Sequence, residues 1–114
     1  MIVRGKDIDA KKVENPRGGR GSLINMGYEA MSQFSGNIKM FSVVNLKPDS
    51  LIGYHTHEDD MEIYFMLDGS GIVSDNGQED ILYPGDLLIT KKGEGHSIEN
   101  KSGVDITFLA MIIK

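Results

Sequence analysis

The 114-residue chain has no cysteine, which excludes disulfides, thiolate metal sites and a cysteine nucleophile, yet it is long enough to bury a core without staples. Its net charge of −5 argues against nucleic acid as a partner. Met1 to Ala10 carries Arg4, Lys6, Asp7 and Asp9 with no signal-peptide core, and the longest apolar run, Phe108 to Ile113, is too short to cross a bilayer. A soluble cytoplasmic protein with no membrane partner is the expectation.

Residues 1–22 read as an N-terminal arm or loop, and residues 23–114 as one domain. Residues 1–20 hold six basic and three acidic side chains, against six and fourteen in the remainder. The basic start reads as a solvated arm. Gly18-Gly19-Arg20-Gly21 lacks the lysine and spacing of a phosphate loop and reads as a flexible loop. If the arm folds over the domain, Arg20 is a candidate to pair with a substrate carboxylate.

Strands are expected near 22–27, 38–46, 51–57, 61–67, 70–75, 78–83, 86–90, 95–100 and 104–113, with one helical turn within 28–34. Turn signals separate most of them, among them Lys47-Pro48-Asp49, Asp68-Gly69, Asn76-Gly77, Pro84-Gly85-Asp86 and Ser102-Gly103. Asn76-Gly77 is the clearest hairpin, since a type I′ turn needs positive φ at both central residues. Such short, evenly spaced strands indicate an all-β sandwich or barrel. Ile63 to Leu67 and Ile106 to Ile113 are apolar on both alternate faces, so something must cover the second face. The candidates are the arm or another subunit, and a homodimer is expected.

The chain has three histidines. His55 and His57 are two apart, so on a strand both imidazoles face one way. Glu62 follows five residues later, and antiparallel pairing of the next strand would return it beside them. His96 would reach them through barrel closure. Three imidazoles and a carboxylate suit Mn, Fe, Co, Ni, Cu or Zn better than calcium or magnesium. Four protein ligands on an octahedral ion leave two positions for a bidentate oxygen ligand. Tyr64 and Met66 share parity with Glu62; Met66 reads as core, while Tyr64 is a candidate to meet a bound ligand. Glu58-Asp59-Asp60 reads as a solvated turn.

The chain resembles a cupin. The first cupin motif, G-(x)5-H-x-H-(x)3,4-E-(x)6-G, is matched by His55, His57, Glu62 and Gly69, with Asp49 in place of the leading glycine. The second, G-(x)5-P-x-G-(x)2-H-(x)3-N, is matched by Gly85, Gly93, His96 and Asn100, with Lys91 in place of proline. The resemblance implies a double-stranded β-helix jelly roll with His55, His57, Glu62 and His96 as ligands of one divalent transition metal. It is nearest to small single-domain cupins of bacteria and archaea.

Two functions fit. One is a metalloenzyme chelating a small oxygen-rich substrate (carboxylate, sugar or enediol), as a decarboxylase, isomerase or dioxygenase. The other is a non-catalytic small-molecule-binding or sensing cupin. The sequence assigns no catalytic acid or base.

Overall fold

The computed structural model describes residues 1–114. Alternating patterns and tight turns lay down ten strands: β1 (Ala10–Glu14), β2 (Ser22–Gly27), β3 (Ile38–Leu46), β4 (Ser50–Thr56), β5 (Met61–Asp68), β6 (Gly71–Asp75), β7 (Gln78–Leu82), β8 (Leu87–Thr90), β9 (Gly95–Asn100) and β10 (Ile106–Ile113). A single short helix, α1 (Ala30–Phe34), follows β2. All pairings are antiparallel, in a six-stranded sheet of order β1-β2-β3-β10-β5-β8 and a four-stranded sheet of order β4-β9-β6-β7.

The inner faces of the two sheets enclose the core. Leu46, Met66, Ile98, Ile106 and Phe108 are fully buried there, the arrangement that yields most stabilisation per apolar side chain. Asn76 and Gly77 both take positive φ, at 51° and 95°, closing the β6–β7 hairpin as its sequence requires. Asn100 is also fully buried. Its amide donates to the Leu46 and Val104 carbonyls and its oxygen accepts from Ser102, which seals the turn between β9 and β10.

Part of the expected arm loop is strand. Ala10–Glu14 pairs with β2 and extends the large sheet. The sequence hides this strand because its residues, Ala-Lys-Lys-Val-Glu, are all exposed and carry almost no apolar alternation. After β1 the chain makes a 3₁₀ turn at Pro16–Gly18 and crosses β4, where Arg20 and Leu51 exchange backbone hydrogen bonds of 3.1 and 2.9 Å. The crossing is close: a Cβ on Gly19 would strike the Leu51 carbonyl, and one on Gly53 the Arg17 carbonyl. Both positions therefore need glycine.

The expectation that β5 returns beside β4 fails. β4 pairs with β9 and β5 with β10 and β8, so the chain between Thr56 and Met61 passes from one sheet to the other. A β4–β5 hairpin would leave the barrel open; the crossing closes it. β4 also carries a bulge, with Ile52 opposite Ile98 but His55 opposite His96. The extra residue rephases the strand. Ile52 and His55 both turn inward as a result, and Tyr54 is left exposed.

Candidate metal centre

The four predicted ligands arrive from three stretches of backbone. His55 comes from the bulged end of β4, and His57 follows that strand. His96 lies on β9 directly opposite His55, and Glu62 crosses from β5 in the other sheet. Their ligand atoms all lie within 4.8 Å of one another. Glu62 Oε1 is 2.9 Å from Nε2 of both His57 and His96 and 4.0 Å from Nε2 of His55. His96 Nε2 stands 3.1 Å from His55 Nε2 and 3.3 Å from His57 Nε2.

The opposite ring nitrogens are all anchored outward. His55 Nδ1 donates to the Gly53 carbonyl at 2.8 Å, and His57 Nδ1 to Asp60 Oδ1 at 2.7 Å. His96 Nδ1 lies 2.7 Å from the Thr90 hydroxyl, which can accept its proton. A carbonyl and a carboxylate only accept, so His55 and His57 donate through Nδ1, which leaves Nε2 of the neutral ring as the nitrogen that can turn a lone pair inward. The centre thus brings three imidazole Nε2 atoms and a carboxylate oxygen together within 4.8 Å, a group that could hold a metal ion. This donor set fits a divalent transition metal.

Electrostatics point the same way. Burial is the main force pushing the His55 pKa down, with smaller contributions from His96 and Arg17. It holds the ring in the neutral, ligating form. Lys39, hydrogen-bonded to the Asp60 carboxylate at 2.7 Å, is the main cause that holds Asp60 below its usual range; His57 adds to it. A permanently ionised Asp60 strengthens the hydrogen bond that orients His57.

Tyr64 is 3% exposed, and its ring stacks on His96 with centroids 4.6 Å apart. Burial first, and the Glu62 charge second, push its pKa well above the ordinary phenol value, so its hydroxyl stays protonated. A cavity of about 230 Å³ opens from this centre, lined by His55, Glu62, Tyr64 and Arg17 among its fourteen residues.

Arg20 is not among those residues. It is ion-paired with Glu99 and reaches Asp49 at 3.4 Å, bracing the arm against β9 and the β3–β4 turn. The arm does fold over the mouth, but it delivers Arg17, held in the left-handed region at φ 53°. Sequence reasoning missed Arg17, Asp60 and Thr90. Asp60, three residues beyond His57, was readable only as a turn acid. Thr90 is fully buried opposite Glu62 in the β5–β8 register, a relation no local spacing reveals.

The two motif departures have local explanations. Asp49, in the usual glycine position, adopts φ 56°, which aspartate tolerates better than most residues. Lys91, in the usual proline position, donates its N–H to the Glu94 carboxylate at 2.9 Å, a bond proline cannot make.

The family model described as Cupin domain matches residues 42–112. The chain belongs to the cupin family. This cupin is 37% identical over 113 residues to the oxalate-binding protein of Thermotoga maritima, covering 99% of this chain and 93% of that protein. It superposes with a TM-score of 0.93 and 37% identity on a T. maritima crystal structure described as a predicted oxalate decarboxylase, covering 99% of this chain and 98% of that one. A cupin-superfamily sugar phosphate isomerase from Silicibacter pomeroyi shares the fold at a TM-score of 0.81 with 18% identity, covering 100% of this chain and 76% of that one. No helix of this cupin is long and apolar enough to cross a membrane.

Proposed function

We propose that this cupin holds one divalent transition-metal ion (Mn, Fe, Co, Ni, Cu or Zn) on His55, His57, Glu62 and His96 and through it binds a small carboxylate chelator. The observation that carries this reading is the convergence of the four donors, with each imidazole fixed from behind, at the end of a cavity. The likeness to an oxalate-binding protein supports the ligand class. When bound, such an ion supplies Lewis acidity, polarising a ligand's oxygens and stabilising negative charge on them. The chain's own residues do the rest. Asp60, Thr90 and the Gly53 carbonyl orient the imidazoles, and Arg17 offers a guanidinium to a carboxylate at the mouth. Arg20 acts at one remove, as a positioning residue that keeps the arm and Arg17 in place.

A catalytic version of the same reading rests on Tyr64. Its neutral hydroxyl lines the cavity and can donate a hydrogen bond or a proton to a bound substrate, as replacement of a carboxyl group by hydrogen would need. The test is elemental analysis of protein purified without chelators, then calorimetric titration with oxalate before and after metal removal, with His96→Ala as control. Metal-dependent oxalate binding lost in His96→Ala supports the proposal; binding that survives metal removal refutes it. Release of carbon dioxide or oxygen consumption by the loaded protein would identify the catalytic version.

We propose a homodimer as well. Phe65, Leu67, Leu87 and Ile89, on the outer face of the large sheet, are between 37% and 50% exposed. Tyr28 covers Phe41 on that face, but β5 and β8 lie open. An exposed apolar patch built from these uncharged side chains needs no complementary charge and suits an isologous contact with a second copy.

A further inference from the structure

The cavity beyond the metal centre is not built for a purely ionic guest. Of its fourteen lining residues nine are apolar. Val13 and Leu23, opposite each other on β1 and β2, form one side; Val44 and Ile52 come from β3 and β4; Phe108 and Ala110 come from β10. Besides Tyr64 and the ligands His55 and Glu62, only Arg17 and Asn25 are polar, and Arg17 is the sole cation. Oxalate is charged at both ends. If oxygens from both carboxylates are engaged at the centre, two outer oxygens remain, for which the lining offers one cation, Arg17, and one neutral amide, Asn25. Arg17 can serve one, and the other finds no charged partner in a lining that is mostly apolar. An α-keto or α-hydroxy acid leaves no such remainder. Its carboxylate and neighbouring oxygen form the chelating head, Arg17 pairs with the outer carboxylate oxygen, and its side chain enters the apolar space.

From this arrangement we propose that the ligand is an α-keto or α-hydroxy acid carrying a short apolar side chain, not a bare dicarboxylate. The inference rests on the chelation reading above and names the ligand class for the same site. Val13 has a particular part in it. It belongs to the arm strand that closes over the cavity, so the arm supplies both the cation for the head and part of the wall for the tail.

The test compares Mn²⁺-loaded protein titrated calorimetrically with oxalate, glyoxylate, pyruvate and α-ketoisocaproate. Each methylene moved out of water is worth about a fourfold gain in affinity. α-Ketoisocaproate is therefore expected to bind at least tenfold more tightly than pyruvate, and more tightly than oxalate. Val13→Phe, which adds bulk from a partly exposed roof position, should weaken α-ketoisocaproate binding severalfold more than pyruvate binding. Equal affinities for pyruvate and α-ketoisocaproate, or tightest binding by oxalate, would overturn the ligand class while leaving metal-dependent chelation intact. If none of the four acids binds in a metal-dependent way, chelation itself fails and this inference falls with it. The wild-type series decides the matter even if Val13→Phe does not fold.

Discussion

Replacing Asp60 by asparagine isolates what the carboxylate behind His57 contributes. The change keeps shape and an acceptor oxygen but removes the charge that receives the Nδ1 proton at 2.7 Å. A hydrogen bond to a charged partner is worth about 1.5–3 kcal/mol net, against about 0.5–1.5 for a neutral pair, so the loss is about 1–1.5 kcal/mol. Metal affinity should fall roughly tenfold, because an amide oxygen still orients the ring but no longer raises its basicity as a carboxylate does. Asp60→Ala, which removes the acceptor altogether, should approach a hundredfold loss, the upper end of about 10–100-fold for residues that orient metal ligands. The metal-free fold should lose a similar amount, about 1–1.5 kcal/mol, because the same bond is present without the metal. Its other lost contact is the ion pair with Lys39, whose side chain is 42% exposed, and such pairs contribute less than about 1 kcal/mol. The assay is competition for Co²⁺ or Mn²⁺ against a chromogenic chelator, paired with thermal denaturation of the metal-free protein. Metal affinity within twofold of the parent for Asp60→Asn would refute the argument.

Three further outcomes are expected. Metal affinity should fall as pH is lowered, since protons compete for the imidazoles; burial holds the His55 pKa below its free value, so that ring stays neutral until pH drops through the lowered pKa. An affinity that stays constant as pH is taken well below the free histidine value of about 6.5 would contradict this, as measured by the same chelator competition. Gly19→Ala should destabilise the protein by about 1–3 kcal/mol, as forced overpacking does, because the new methyl meets the Leu51 carbonyl; urea denaturation measures it, and an unchanged midpoint would show the crossing to be loose. Ile89→Lys, on the exposed outer face, should shift the protein from dimer to monomer by light scattering with little change in metal content; a parent protein that is already monomeric would dispose of the dimer.

Much of this molecule is legible one residue at a time. The strand bounds follow from alternation and turn residues because both are local: side chains alternate with period two, and Asn76-Gly77 accepts positive φ wherever it sits. The spacing of His55 and His57 likewise fixes that they share a face. Residues whose sequence neighbourhood says little were misread. Ala10–Glu14 carries no apolar alternation, and only pairing with β2 makes it a strand. Asp60 looks like its solvated neighbours Glu58 and Asp59 until His57 and Lys39 converge on it.

The sequence by itself determined the inventory of the centre: three imidazoles, one carboxylate, and the strands that carry them. Tertiary structure alone decided how they meet, with Glu62 arriving across the barrel instead of along a hairpin, and Arg17 rather than Arg20 at the cavity mouth. The reason is physical. Ligand identity is a property of a side chain, whereas convergence depends on which strands hydrogen-bond, where a bulge rephases one of them, and how closely glycines let the arm cross β4.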